Sequence, residues 1–181
     1  MKEQFTISIF TENHVGLLQR ISAILTRRHI NIESITASET EAHGIFRYTI
    51  VVFEERYTVK KVCRQIERQI EVFQAYYHKS DEVIHQEIAL YKLPVKAITS
   101  NAGLEAIMRK HHARILTVEE NFLIIEKTGH KEETQELLDE LEPLGVIEFV
   151  RSGRVAIIKD MWQFSKNLHI MEKRQEETLV D

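Results

Sequence analysis

The chain has 181 residues, 28 acidic against 24 basic side chains, and a formal net charge of −4. An acidic excess argues against binding nucleic acid through its phosphates. No apolar run approaches the ~20 residues that span a bilayer, MKEQFTISIF lacks the apolar region of a signal peptide, and the one cysteine, Cys63, allows no internal disulfide and no Cys-rich zinc site, so a reducing cytoplasm is expected.

Phe5, Ile7 and Ile9 alternate with Thr6 and Ser8, which predicts a half-buried strand. Leu17, Leu18, Ile21, Ile24 and Leu25 follow at helical spacing and predict a helix over about 15–28. Ile30–Ser38 reads as a second strand, Glu39–Gly44 as a turn, and the β-branched and aromatic run Ile45–Phe53 as a third strand. Val59, Val62, Ile66 and Ile70 mark a second helix with Thr58 as N-cap. Val72–Tyr77 closes a β-α-β-β-α-β unit, the ferredoxin-like order.

The order then repeats. Ile88–Leu93 is a strand stopped by Pro94, and Leu104, Ile107, Met108 and His111 share a helix face after Asn101. Arg114–Val118 and Phe122–Glu126 form a hairpin. Leu137, Leu138 and Leu141 mark a helix ending near Pro143, and Val146–Val150 is the last strand of the unit. Val155–Ile158 adds a short strand beyond that plan. The expected fold class is therefore α+β, with two ferredoxin-like domains over 1–78 and 79–160, and a tail over 161–181 whose role is unreadable. Each sheet has helices on one face only. The bare face calls for a partner, so dimerisation or sheet pairing is expected.

Nothing points to catalysis. GxSxG, HExxH, P-loop and GxGxxG patterns are absent. The nine histidines are scattered. The one adjacent pair, His111 and His112, would point about 100° apart on a helix and chelate poorly. No catalytic residue and no metal ligand set is expected. An RNA-recognition reading of the same topology fails on the third strand, Gly44-Ile45-Phe46-Arg47-Tyr48-Thr49, which lacks the required aromatic pattern.

One segment stands out: Thr11-Glu12-Asn13-His14-Val15-Gly16-Leu17-Leu18, which joins the first strand to the first helix. A helix N-terminus offers unpaired N–H groups and partial positive charge to a carboxylate. Gly16 lets a ligand approach the backbone, Asn13 can meet an ammonium, and Val15, Leu17 and Leu18 are apolar. Together these match the parts of a branched amino acid. The same residues also suit a plain helix start, with Asn13 as N-cap and Gly16 serving packing. Asn31, after the helix, suits either a turn or a ligand lodged between two subunits.

At these segments the sequence resembles the small regulatory subunits of acetolactate synthase (acetohydroxyacid synthase). Glu12-Asn13-His14-Val15-Gly16-Leu17-Leu18-Gln19-Arg20-Ile21 fits E-N-x-x-G-x-L-x-R-[VI], and Asn31-Ile32-Glu33-Ser34-Ile35-Thr36 fits N-I-[ED]-S-[LI]-T. Val146–Gly153 is similar to the motif that closes the family's second domain. The resemblance implies an N-terminal ACT domain and a second ferredoxin-like domain. It also implies a homodimer through side-by-side ACT sheets and a branched-chain effector, usually valine, at their interface. By the same resemblance Asn13, His14, Val15, Gly16, Leu17 and Leu18 line the site from one subunit, while Asn31, Ile32 and Ser38 close it from the other. The implied partner is the catalytic large subunit, which carries thiamine diphosphate, magnesium and usually FAD; this chain would hold no cofactor itself. It would activate that enzyme and confer feedback inhibition. An ACT-type sensor for another host, a transcription regulator or a kinase-type enzyme, is the alternative; the second motif and the second domain favour the first reading. A histidine-based metal sensor is a third.

Overall fold

The computed structural model describes residues 1–99 and 103–160. The first half forms β1 (Lys2–Glu12), α1 (Leu17–Thr26), β2 (Ile32–Glu39), β3 (Ile45–Glu55), α2 (Arg56–Ile66) and β4 (Val72–Lys79). Its strands lie in the order β2-β3-β1-β4, all neighbours antiparallel. Side chains of a strand alternate between faces. Phe5, Ile7 and Ile9 therefore share one face of β1, where they pack with Leu17, Ile21, Ile24 and Leu25 of α1 and Val59, Val62 and Ile66 of α2.

Three local expectations are corrected. The first helix begins at Leu17 rather than near 15, because Gly16 as N-cap takes a left-handed φ of 85°. The second helix starts at Arg56 with Glu55 in the cap position, so Thr58 lies inside it. Ile70 is outside that helix and 84% exposed. The chain must turn there to enter β4: the Gln69 amide bonds Ile66 O, and the Val72 amide bonds Gln69 O.

The other face of this sheet is more polar, yet Thr6, Ser8 and Thr49 are buried there. Residues of the same chain account for part of that cover. Arg154 donates from Nη1 to Thr6 Oγ1 at 3.0 Å and from Nη2 to Gln4 Oε1 at 2.8 Å, while Thr36 Oγ1 donates to Arg154 O at 2.8 Å.

The second half comprises β5 (Val83–Pro94), α3 (Lys96–Thr99), α4 (Gly103–Lys110), β6 (Arg114–Val118), β7 (Phe122–Gly129), α5 (Lys131–Leu141), β8 (Glu148–Arg151) and β9 (Val155–Ile158). The order β6-β7-β5-β8 repeats that of the first sheet, and β9 pairs with β5. Ala89, Tyr91, Leu93, Leu123 and Ile125 of the sheet pack with Leu104, Leu137 and Leu141 of the helices. The start of α5 is capped at His130, whose amide donates to Glu133 Oε2 at 2.6 Å. Asn101 and the tail 161–181 lie outside the described residues.

Among the described residues two compact units result: residues 1–84 with 154–160, and 85–153. The division differs from the expected boundary after residue 78, and the 154–160 stretch groups with the first unit rather than the second. The residues just after position 78 are tied down. Ser80 Oγ donates to Gln4 Oε1, the Lys79 amide donates to Glu82 Oε2, and Val83 is buried.

Candidate effector site in the first unit

The singled-out segment is a short connection between the end of β1 and the start of α1. Its anchor is Glu71, in the turn before β4. The Glu12 amide donates to Glu71 O at 3.0 Å, and Arg20 Nη2 donates to Glu71 Oε1 at 2.7 Å. That hydrogen bond, with one from the backbone, holds the Glu71 carboxyl below the usual carboxylate range. His14 Nδ1 lies 3.9 Å from the same oxygen and 3.1 Å from Val15 O.

Gly16 then reverses the chain. Its left-handed backbone is a conformation that costs an L side chain energy. As N-cap it has no side chain to cover the first-turn amides of α1, which an α-helix leaves unpaired within itself. An added Cβ at Gly16 would meet nothing within 4 Å. The space over the helix end is therefore open, and the local dipole favours a negative group there. Asn13, which one reading made the N-cap, is not in that position and is exposed.

The nine residues named from the sequence fall into distinct places. Asn13, His14 and Gly16 are exposed on the loop, Val15 is 95% exposed and Leu18 is 44% exposed. Leu17 points into the core, fully buried. Asn31 is exposed just before β2, and Ile32 packs partly against the core. Ser38 is exposed near the end of β2.

Register separates these groups within one chain. Ser38 and Phe10 both stand opposite Arg47, so Ser38 is at the sheet end where β1 meets the loop. Ile32 and Phe5 both stand opposite Val52. The stretch of β1 from Phe5 to Glu12 spans roughly 23 Å. Asn31 and Ile32 therefore lie at the far end of the ten-residue α1 from Gly16. A single chain does not bring the loop and the β2 start together. β2 is also an edge strand of its sheet, and its exposed Ile35 adds apolar surface. Such an edge is a template for pairing with another strand.

The site carries no nucleophile with a base beside it. Cys63, on α2, is buried, and that burial pushes its thiol up to about 12. No cluster of three or more His, Cys, Asp or Glu side chains able to hold a metal ion occurs among the described residues. No helix among them is long and apolar enough to cross a membrane. Glu71 is the site residue that the sequence did not single out. It stands in a turn, where no periodic pattern marks it.

Two family models match the chain: an AHAS small subunit-like ACT domain over residues 7–74, and the small subunit of acetolactate synthase over residues 86–160. The acetolactate synthase small subunit of Mycobacterium leprae is 35% identical over 152 residues, covering 84% of this chain and 89% of that protein. The Bacillus subtilis protein of the same name is 30% identical, covering 90% and 94%. Among solved structures, the acetolactate synthase small subunit of Thermotoga maritima superposes with a TM-score of 0.78 at 24% identity, covering 89% of this chain and 99% of that one, a likeness of fold.

Proposed function

The chain belongs to the family of acetolactate synthase small subunits, and we propose that it binds a branched-chain amino acid, valine first among them, between the ACT domains of a homodimer, and so regulates a catalytic large subunit in branched-chain amino-acid biosynthesis. The observation that carries this reading is the separation of the two motifs within one protomer. Gly16 and Asn31 stand at opposite ends of α1, so a site built from both needs a second copy.

The chemistry follows from the parts. The amides opened by Gly16 take the effector carboxylate, the Asn13 amide oxygen takes the ammonium, and Val15 and Leu18 face the aliphatic side chain. Leu17 contributes by fixing the helix in the core. Asn31, Ile32 and Ser38 come from the second protomer. A site shared in this way senses the relative placement of two chains, so the ligand has different affinity for different arrangements. The catalytic partner, carrying thiamine diphosphate, magnesium and usually FAD, reads that arrangement in the cytoplasm.

Thermal unfolding of the purified chain with L-valine, L-leucine, L-isoleucine and D-valine tests the site. At 100 times Kd, linkage gives about 2.7 kcal/mol, roughly 5–10 °C for a chain of this size. A shift with an L-isomer and none with D-valine is expected. In the reconstituted holoenzyme, Gly16→Asp places a carboxylate where the ligand's belongs and should abolish inhibition. A fully valine-sensitive Gly16→Asp holoenzyme would sink the assignment.

A further inference from the structure

The sheet face of the first unit turned away from α1 and α2 holds a cavity of about 420 Å³, within the size range of small-molecule sites. Arg47, on β3, stands in its wall. Its Nη2 donates to Ser8 Oγ at 2.9 Å, and its guanidinium carbon lies 5.5 Å from the centre of the Phe10 ring. Its Nε–H is buried with no hydrogen-bond acceptor. His78, on β4, lines the same cavity, and its Nδ1 is likewise buried without a partner. Buried polar groups are ordinarily satisfied, and two orphans in one cavity wall call for an explanation. Glu41 and Asp160 bring carboxylates, and Phe10, Ala156 and Ile158 bring apolar surface.

We propose that this cavity binds an apolar α-amino acid as a zwitterion, with its carboxylate on Arg47, its ammonium between Glu41 and Asp160, and its side chain against Phe10 and Ile158. The charge pattern selects that class. Glu39, Glu41 and Asp160 line the cavity against one guanidinium, so a simple anion meets three like charges. A simple cation faces the guanidinium and leaves its Nε–H unpaired. A zwitterion answers both signs at once. Burial lowers the pKa of His78, which favours the neutral ring; Nδ1 then donates to the carboxylate or accepts from the ammonium, according to its tautomer.

This site is separate from the one at Gly16. Of the nine residues assigned there, Ser38 alone lines the cavity. The inference does not rest on the dimer-interface reading.

Equilibrium dialysis of the full chain with radiolabelled L-valine and L-leucine tests it. Two ligands per chain are expected for the wild type, and one for Gly16→Asp. Arg47→Met should weaken the retained site at least about tenfold, the usual worth of a charged hydrogen bond. Glu41→Gln, on an exposed residue, is the second probe should Arg47→Met not fold, and is expected to weaken the same site several-fold. Neither 3-methylbutanoate nor isobutylamine, each with one of the two charges, should displace the ligand. Loss of all binding in Gly16→Asp, unchanged stoichiometry and affinity in both cavity variants, or equal displacement by either analogue overturns the proposal. One ligand per chain, kept by Gly16→Asp and lost by Arg47→Met, supports the cavity and refutes the interface site; the reverse pattern does the opposite.

Discussion

Arg154 and Thr6 lie 148 positions apart in the chain, yet Arg154 Nη1 donates to Thr6 Oγ1 at 3.0 Å, with both residues almost wholly buried. The second donor, Nη2, meets Gln4 Oε1 two residues earlier on the same strand. This contact fastens the stretch from Arg154 onto the helix-free face of the first sheet.

Arg154→Met should therefore release that stretch. It removes two charge-assisted bonds and leaves Thr6 Oγ1 without this donor, a loss of about 2–3 kcal/mol. For a chain of this size the melting temperature should fall by roughly 4–12 °C. Hydrogen exchange should speed up over 155–160, including the Lys159 amide that bonds Glu82 O. An unchanged exchange rate there would show that Arg154 does not hold the segment.

Gly16 carries two separable roles, conformational and steric. No protein atom lies within 4 Å of an added Cβ, so Gly16→Ala tests the backbone alone. A left-handed L-residue costs about 1–2 kcal/mol, which should appear as a lower urea midpoint with an unchanged slope. Gly16→Asn should lose less, because asparagine tolerates that region. Equal losses for the two would locate the effect elsewhere.

How much of this was legible depended on whether the signal was local. Phe5, Ile7 and Ile9 announced their strand by period, and Leu17, Ile21, Ile24 and Leu25 their helix, because burying one face imposes that spacing. Gly16 was legible as a position but not as the cap, since φ is not written in residue types when Asn13 stands beside it. Ile70 continued a helical stripe that the chain had to abandon to reach β4. Arg154, Glu71 and Arg47 were illegible for a different reason. Their partners, Thr6, Arg20 and Ser8, are distant in sequence, and no pattern in one segment reports a contact made with another.

Cys63 should be inert in the folded chain. It is 3% exposed, and burial holds its thiol protonated, whereas the thiolate is the reactive form. Labelling with a chromogenic disulfide reagent at pH 8 should be slow in buffer and reach one thiol per chain in urea. Rapid labelling without denaturant would mean that α2 opens readily.

Tyr91 is fully buried in the second unit, and its hydroxyl donates to Thr134 O at 2.6 Å, joining β5 to the first turn of α5. Tyr91→Phe keeps the ring and removes the donor, so a buried carbonyl loses its side-chain partner. A cost of about 1–2 kcal/mol is expected, measured as a lower urea midpoint. A loss well below that range would mean that water reaches the Thr134 carbonyl.

Glu71 sets the acid limit of the loop. The hydrogen bond from Arg20 holds its folded pKa below the ordinary value of 4.5. Between the folded and unfolded pKa the unfolded chain binds more protons, so stability falls as pH falls. The contribution is fully present above the unfolded value and is lost as the pH drops through the depressed folded one. Urea midpoints between pH 6 and pH 3 should therefore decline less steeply for Glu71→Gln than for the wild type. Arg20→Met should flatten the same window, since it removes the donor rather than the acid. If neither variant changes the slope, the Arg20–Glu71 pair does not brace the loop in solution, and the loop is held instead by the backbone bond from the Glu12 amide to Glu71 O and by the burial of Leu17.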